Sequence, residues 1–202
     1  MVKLFGKSET FIDIYDNTLS QKECDIIISQ FEKSSALAEG MVSYNGITEL
    51  DHSHKKCIEI PDQKFSNRDI ISNILNPYLQ KCIFKYKKKY SALYWGSPWS
   101  LVDCYNVQKY ETEDDGFKKW HCEHAPGLEC SERILAWMFY LNDAKSGTDF
   151  VYYPNIKAKR GRCVIWPAGW THCHKGTPNK GLKYIATGWV SYDNSRFKGL
   201  PH

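Results

Sequence analysis

The stretch that decides the fold is residues 183–192, Lys-Tyr-Ile-Ala-Thr-Gly-Trp-Val-Ser-Tyr. Its residues alternate between two faces, as in a β-strand: Lys183, Ile185, Thr187 and Trp189 share one face, and Tyr184, Ala186 and Val190 share the other. An ammonium on an inward face is costly unless an anion pairs with it. Lys183 therefore either awaits an anionic partner or lies at a strand edge and points to water.

Similar short runs, rich in aromatic and β-branched residues, fill the chain after about residue 94. Gly, Pro, Asn and Asp separate them, and they are Leu101–Tyr105, Arg133–Leu141, Thr148–Tyr153, Gly161–Trp166 and Trp170–His174. This spacing is typical of an antiparallel sandwich or jelly roll. We predict a mainly β fold, α+β overall, with a double-stranded β-helix (jelly roll) core at residues 93–192.

The first part of the chain has the pattern of supporting helices. Phe11–Tyr15 alternates like a short strand, and residues 20–23, Ser-Gln-Lys-Glu, form a capping box that predicts a helix to about Lys33. Residues 66–69, Ser-Asn-Arg-Asp, begin a second helix, whose apolar residues recur at helical spacing to near Lys89. No repeat or linker is visible, so we predict one domain over residues 1–202, with residues 1–92 as helical support and substrate rim.

Composition excludes several classes of protein. Of the 202 residues 42% are apolar and 14% aromatic, which is too many for a disordered chain, and the net charge of +4 is too small to indicate nucleic-acid binding. The longest uncharged apolar stretch, Ile134–Asn142, is too short to span a membrane, and residues 1–7 lack the apolar core of a signal peptide. We therefore expect a cytoplasmic protein without nucleic-acid or membrane partners.

Eight cysteines occur without any Cys-x-x-Cys pair. Structural zinc usually brings its thiolates in such pairs, and a reducing compartment disfavours disulfides. Most of the cysteines are therefore expected to be free thiols in the core.

Candidate metal ligands lie in two segments about fifty residues apart. His121 and Glu123 are two residues apart, as are His172 and His174, so each pair shares a face if its segment is extended. Two imidazoles and one carboxylate form the facial triad of non-haem Fe(II) oxygenases. Two readings stay open from the residues alone: an exposed strand that carries His-x-Glu without a metal, and a zinc site that includes Cys122, Cys130 and Cys173. A zincin is excluded because His-Glu-x-x-His is absent.

The order of motifs from residue 100 to 192 resembles the Fe(II)/2-oxoglutarate-dependent dioxygenases of the prolyl-4-hydroxylase type. The motifs are His-x-acid at 121–123, Tyr-Leu-Asn at 140–142, Gly-Thr-x-Phe at 147–150, Gly-Arg-x-x-x-x-Pro at 161–167, His-x-Gly-x-Pro at 174–178, and the basic residue that begins Tyr-Ile-x-Thr-x-Trp at 183–189. The opening of the first helix, residues 19–24, is also similar to that family's.

This resemblance implies a role for each matching residue. His121, Glu123 and His174 would be the iron ligands, with His172 as the alternative to His174. Lys183 would pair with the distal carboxylate of 2-oxoglutarate, Tyr140 would hydrogen-bond the same carboxylate, and the side chains of Thr187 and Tyr110 would assist in the co-substrate pocket. The family usually has Asp where this chain has Glu123, so the iron must lie further from that strand or the longer side chain must fold back.

The resemblance further implies hydroxylation of a C–H bond with Fe(II), 2-oxoglutarate and O2, release of succinate and CO2, and ascorbate as a reductant. The expected substrate is a prolyl or other peptidyl side chain, or an amino acid, in a groove that loops 51–56 and 94–99 could rim. We expect a monomer or weak homodimer. Two alternatives are a non-catalytic jelly-roll binding module with structural histidines and a zinc hydrolase on a similar scaffold.

Overall fold

The computed structural model describes residues 9–44, 47–126 and 128–193. Its helices are α1 (Gln21–Glu32), α2 (Ile70–Lys89) and the short α3 (Leu128–Ser131), with 3₁₀ turns at Ser91–Tyr94 and Trp170–His172. The strands are β1 (Asp13–Tyr15), β2 (Ala38–Glu39), β3 (Val42–Tyr44), β4 (Ile47–Glu49), β5 (Lys55–Lys56), β6 (Ile58–Lys64), β7 (Trp99–Tyr110), β8 (Gly116–Phe117), β9 (Arg133–Tyr140), β10 (Gly147–Phe150), β11 (Ile156–Lys157), β12 (Arg162–Pro167), β13 (His174–Gly176) and β14 (Lys183–Tyr192).

Two antiparallel sheets form the core. The major sheet has the order β1-β12-β9-β14-β7-β6-β2, and the minor sheet has the order β11-β10-β13. Strand β14 lies at the centre of the major sheet, between β9 and β7. The jelly-roll core with N-terminal helices that the sequence predicts is confirmed.

Helices α1 and α2 begin where the sequence predicts. Ser20 and Glu23 make the reciprocal capping-box bonds, because the Ser20 backbone N–H donates to Glu23 Oε2 over 2.7 Å and the Glu23 N–H donates to Ser20 Oγ over 3.3 Å. Asp69 caps α2 by accepting a hydrogen bond from the Ser72 N–H over 2.6 Å. Each bond satisfies a backbone donor that has no partner within the helix.

The two faces of the major sheet bury different cores. On one face, α1 and α2 pack Ile27, Phe31, Leu75 and Leu79 against sheet residues that include Trp137. The other face meets the minor sheet around an apolar set made of Tyr110, Ala136, Tyr140, Phe150, Ile156, Val164, Trp166 and Ile185. The helices thus support one face and leave the other face to line the interior of the jelly roll.

The segment before residue 93 is less helical than the sequence analysis predicts. Strand β6 joins the major sheet beside β7, and β5 pairs with β8. The sequence pattern does not reveal these strands. Strand β5 has only two residues, and β6 contains Pro61 and a register shift between Ile60 and Gln63. In the described parts of the chain, no helix has the length and apolar character needed to cross a membrane.

Candidate active site

His121 and His174 lie opposite each other at the edge of the minor sheet. The His121 N–H donates to the His174 carbonyl over 3.0 Å, and the His174 N–H donates back to the His121 carbonyl over 2.8 Å. This reciprocal pair holds the two imidazole rings with their centroids 4.3 Å apart. Residues more than fifty positions apart are thus aligned by backbone hydrogen bonds alone.

Glu123 reaches the same place by a different route. The chain bends after His121, and the Glu123 N–H donates to the Ala168 carbonyl over 3.0 Å. Its carboxylate Oε1 then lies 3.3 Å from His174 Nε2. One ligand-capable atom from each of His121, Glu123 and His174 lies within 4.8 Å of the other two. The three residues that the sequence singles out are therefore brought together.

Backbone carbonyls orient both imidazoles. Nδ1 of His121 donates to the Lys119 carbonyl over 3.1 Å, and Nδ1 of His174 donates to the His172 carbonyl over 2.9 Å. A carbonyl oxygen only accepts, so both Nδ1 atoms carry a proton and Nε2 is the nitrogen of each ring that is left to face a metal. Burial, followed by the neighbouring His174, lowers the pKa of His121 to about 3. His121 is thus neutral at physiological pH, as a metal ligand must be.

The Glu123 carboxylate is held by two residues that the sequence analysis does not assign to the metal. Trp189 Nε1 donates to Oε2 over 2.6 Å, and Arg133 Nη1 lies 3.6 Å from the same oxygen. Burial alone would raise the pKa of Glu123. The hydrogen bond with His174 and the electrostatic attraction of His174, His121 and Arg133 instead lower this pKa to about 2. The longer side chain therefore presents Oε1 as an ionised ligand while Oε2 is held by Trp189.

The prediction of one continuous strand over Trp170–His174 is wrong. Residues 170–172 form a 3₁₀ turn, and β13 begins only at His174. The His172 ring consequently leaves the candidate metal centre: its Nε2 is 2.9 Å from the Thr10 carbonyl, and it stacks on Tyr153. Gly169 is still extended, and the backbone leaves the strand conformation at Trp170.

Lys183 is buried at the start of β14, on the face that lines the interior. Only 3% of the residue is exposed, and its ammonium makes no hydrogen bond or ion pair with any residue in the described ranges. Its Nζ lies 4.6 Å from the centroid of the Tyr110 ring. Burial lowers the pKa of Lys183 to about 8. An unpaired buried cation is costly, so this position favours an anionic ligand.

Tyr140 lies on the same face, because it is paired with Ile185 on the neighbouring strand. Its hydroxyl contacts Thr148 Oγ1 at 2.6 Å, a partner that the sequence analysis misses. Burial raises the pKa of Tyr140 to about 12, so the phenol keeps its proton and can donate to an anion. The Thr187 hydroxyl donates instead to the Trp137 carbonyl over 2.8 Å, so a ligand would have to replace that carbonyl to receive the proton.

Tyr110 belongs to a buried polar chain that the sequence does not reveal. Its hydroxyl donates to Gln108 Oε1 over 2.7 Å, Gln108 Nε2 donates to Glu59 Oε2 over 2.8 Å, and Lys55 Nζ lies 2.6 Å from the same carboxylate oxygen. These bonds use the Tyr110 proton within the protein. Tyr110 therefore offers Lys183 its ring face rather than a hydroxyl.

The loop at 51–56 approaches the candidate metal centre through Phe117. The Phe117 ring stacks on His121 with centroids 3.7 Å apart, and His54 packs edge-on against Phe117 at 5.1 Å. The loop at 94–99 ends at Trp99, which pairs with Tyr192 at the far end of β14. Trp120 and Trp170 are exposed near the histidines, whereas Trp137 and Trp166 are core residues.

The donor set suits Fe(II). Two imidazole nitrogen atoms and one ionised carboxylate oxygen converge from one side, and such a set leaves further coordination positions open. An unpaired buried ammonium lies on the same inner surface as Trp189, which contacts the carboxylate. The interior thus has both a cluster that could hold a metal ion and a buried cation without an anionic partner in the described residues. A jelly roll with this combination is typical of the 2-oxoglutarate/Fe(II) dioxygenase class.

Comparison with known proteins supports the same class. The model of the 2OG-Fe(II) oxygenase superfamily matches residues 105–191. A search of curated proteins finds no match. The resemblance that the sequence analysis infers, to a prolyl-4-hydroxylase-like dioxygenase, is confirmed by the family match and by the folds of the structural neighbours.

Several solved structures of prolyl hydroxylases share the fold. The collagen prolyl hydroxylase of Paramecium bursaria chlorella virus 1, in complex with 2OG, has a TM-score of 0.61 at 16% identity, over 91% of this chain and 97% of that one. A Trichoplax adhaerens prolyl hydroxylase bound to a hypoxia-inducible-factor peptide has a TM-score of 0.70 at 13% identity, over 95% and 88%. The Pseudomonas putida prolyl-4-hydroxylase has a TM-score of 0.66 at 12% identity, over 90% and 93%. At 12–16% identity these likenesses show a shared fold.

Proposed function

We propose that this protein is an Fe(II)- and 2-oxoglutarate-dependent dioxygenase that hydroxylates a C–H bond of a prolyl or other peptidyl substrate. One oxygen atom of O2 would enter the new hydroxyl group, and the other would enter succinate as 2-oxoglutarate loses CO2. The proposal rests on one observation: the His121–Glu123–His174 cluster and the unpaired ammonium of Lys183 both occur in the interior of the jelly roll.

In this proposal His121, Glu123 and His174 hold Fe(II), which supplies the oxidising chemistry when bound. The Lys119 and His172 carbonyls keep Nε2 of each imidazole directed to the metal. Trp189 and Arg133 hold the carboxylate so that Oε1 remains the ligand atom. These partners fix the geometry before the metal arrives, which lowers the cost of binding it.

Lys183 and Tyr140 bind the distal carboxylate of 2-oxoglutarate. The ammonium gains the anionic partner that it lacks in the described part of the chain, and the Tyr140 hydroxyl turns from Thr148 to donate to the carboxylate. The apolar walls around Ile185 exclude water and strengthen this ion pair. Tyr110 supports Lys183 through its ring, and Thr187, on the same face of β14, assists only if its hydroxyl leaves the Trp137 carbonyl.

A peptidyl substrate fits the surface beside the metal cluster. Trp120 and Trp170 are adjacent in sequence to the two ligand segments and are 48% and 70% exposed. Exposed aromatic side chains provide flat apolar contact for proline rings. One structural neighbour was solved with a peptide, which supports this class of substrate. That the protein is a cytoplasmic monomer or weak homodimer that acts on protein rather than nucleic acid stays a prediction.

The experiment that tests the proposal is a succinate-release assay with Fe(II), 2-oxoglutarate and ascorbate, against proline-containing peptides and free amino acids. We expect succinate above the substrate-free background with a subset of the peptides and an added 16 Da on the consumed peptide. Absence of succinate together with absence of metal and 2-oxoglutarate binding would indicate a binding module. Zinc in the purified protein and hydrolysis indifferent to 2-oxoglutarate would indicate a zinc hydrolase.

A further inference from the structure

A pair of thiols lies directly behind the candidate metal ligands. His121 and His174 exchange both backbone hydrogen bonds, so they form a hydrogen-bonded antiparallel pair. The next residue on one side and the preceding residue on the other, Cys122 and Cys173, are then opposite each other in a non-hydrogen-bonded pair. Their side chains leave the opposite face from the two imidazoles.

The two thiol groups are close neighbours. Cys122 Sγ donates to the His124 carbonyl over 3.3 Å, and the Cys173 thiol is near enough to interact with it. Both residues are partly exposed. The sequence predicts that most of the eight cysteines are core thiols, but only Cys24, Cys57, Cys82 and Cys163 are buried. Cys122 and Cys173 instead form a pair that solvent can reach.

The geometry of this pair suits a disulfide. Opposed residues in a non-hydrogen-bonded antiparallel pair have Cα atoms about 4.5 Å apart, with side chains close together. Disulfides join residues whose Cα atoms are about 4.4–6.8 Å apart. The link therefore requires little movement of the two segments that carry His121 and His174.

We propose that Cys122 and Cys173 form a reversible disulfide when the protein meets a peroxide. One thiol is oxidised by hydrogen peroxide to a sulfenic acid, and one water leaves. The second thiol attacks this sulfur, the S–S bond forms, and a second water leaves. The two thiols lose two electrons and two protons in all, and one hydrogen peroxide becomes two waters. A dithiol reductant reverses the reaction.

A second pair of cysteines provides an internal comparison. The Cys82 and Cys163 thiols are also near enough to interact, but they are 3% and 0% exposed between α2 and the major sheet. The thiols of both pairs are thus close together, but peroxide can reach only the Cys122–Cys173 pair of these two. The disulfide is expected at Cys122–Cys173 and not at Cys82–Cys163.

The link would tie the two ligand segments together. It closes the loop of residues 123–172, and a cross-link of this kind stabilises the folded state by restricting the unfolded chain. It also fixes the separation of the His121 and His174 backbones. This last consequence rests on the proposed function, whereas formation of the bond does not.

The test uses the full chain with a metal chelator, so that iron takes no part in the oxidation. The protein is treated with hydrogen peroxide, its remaining thiols are alkylated, and its peptides are mapped by mass spectrometry. We expect one cross-linked peptide pair, Cys122–Cys173, that dithiothreitol abolishes. The melting temperature of the oxidised protein should rise by roughly 5–10 °C and return on reduction.

Two kinds of variant serve as controls. Cys122→Ser and Cys173→Ser should lose both the cross-link and the rise in melting temperature, while Cys130→Ser, a substitution at another partly exposed thiol, should keep both. A cross-link at other cysteines, none at all in the native protein, or a fall in melting temperature on oxidation would overturn the proposal. Because the mapping is done on wild-type protein, failure of a variant to fold leaves the test intact.

The effect on the metal site is measured separately, with Mn(II) as the probe. The oxidised protein should bind Mn(II) at least as tightly as the reduced protein, because the ligand segments keep their separation. Weaker Mn(II) binding after oxidation would contradict the proposal that the disulfide preserves the separation of the His121 and His174 segments. If neither form binds Mn(II), the proposed function fails while the mapped disulfide stands.

Discussion

Trp189 donates its indole N–H to the Glu123 carboxylate over 2.6 Å, and this contact joins the strand that carries Lys183 to the candidate metal centre. The pairing between β7 and β14 shifts its register between Gly188 and Val190, at Trp189. Such irregularities re-aim side chains next to functional sites. Strand β14 thus carries the proposed co-substrate cation, Lys183, at one end and, near the other, a residue that contacts the proposed metal ligand Glu123.

Replacing Trp189 with Phe should weaken metal binding. The variant keeps the aromatic packing under Arg133, which lies 3.6 Å from the ring, but it loses the hydrogen bond to Glu123. Loss of such a supporting contact typically costs about 10–100-fold in metal affinity. The measurement is Mn(II) affinity by calorimetry, with the exposed Trp170→Phe as the matched control. Equal affinity in Trp189→Phe and wild type would count against this role.

Lys183→Met should separate stability from co-substrate binding. Removal of an unpaired buried ammonium should raise the melting temperature of the protein without 2-oxoglutarate, because a buried charge without a partner is destabilising. The same change should raise the apparent KM for 2-oxoglutarate by roughly 10–100-fold, since a hydrogen bond to a charged group is lost. Lys175→Met, at a lysine that contacts the Trp120 ring, is the control. A lower melting temperature together with an unchanged KM would refute both expectations.

The pH dependence of stability should carry the signature of Lys183. Its pKa is lowered by burial from 10.5 to about 8, so between these values the unfolded state binds more protons than the folded state. The Lys183 contribution to the free energy of unfolding should therefore rise as the pH rises from 8 towards 10.5, by at most about 3 kcal/mol. The measurement is urea unfolding across this range, taken as the difference between wild type and Lys183→Met. A difference that is flat with pH would show that Lys183 is not desolvated.

The buried ion pair of Lys55 and Glu59 should be sensitive to loss of one partner. Their side chains are 6% and 5% exposed and lie 2.6 Å apart. Lys55→Met leaves the Glu59 charge buried without its cation, which should cost about 3–5 kcal/mol of unfolding free energy. The exposed pair of Lys118 and Asp114 is the control, and Lys118→Met should cost under about 1 kcal/mol. Similar losses in urea unfolding for the two variants would contradict this difference.

The two histidines on either side of Cys173 should behave differently. His174→Ala removes a proposed ligand and should abolish 2-oxoglutarate-dependent succinate formation. His172→Ala removes a ring that contacts the Thr10 carbonyl and Tyr153, and its backbone carbonyl, which accepts from His174, remains. A measurable fraction of succinate formation should therefore survive. The reverse order of effects would assign the metal to His172.

The candidate site could be predicted where one strand carries its own pattern. Lys183, Thr187 and Trp189 share a face because a strand has a period of two, and the capping box at Ser20 is a local signal as well. These features depend on neighbours in sequence. Alternation along β14 could also have pointed to Trp189 as a residue of the site, because it lies on the same face as Lys183.

Features that depend on distant residues could not be predicted. The partners of Glu123 and Tyr140, which are Arg133 and Thr148, are set by how the sheets pack. The chain from Tyr110 through Gln108 to Glu59 requires β6 beside β7, a pairing that no periodicity signals. The 3₁₀ turn at Trp170–His172 follows a Pro-Ala-Gly sequence whose turn chemistry outweighs the apparent strand pattern.

The most direct test of the central claim is an anaerobic titration of the Fe(II)-loaded protein with 2-oxoglutarate, followed by visible absorption. Chelation of Fe(II) by the keto acid should produce a charge-transfer band that requires both components, with an affinity reduced in Lys183→Met and with no band in His174→Ala. A band of equal strength in His174→Ala, or none in the wild-type protein, would contradict the account.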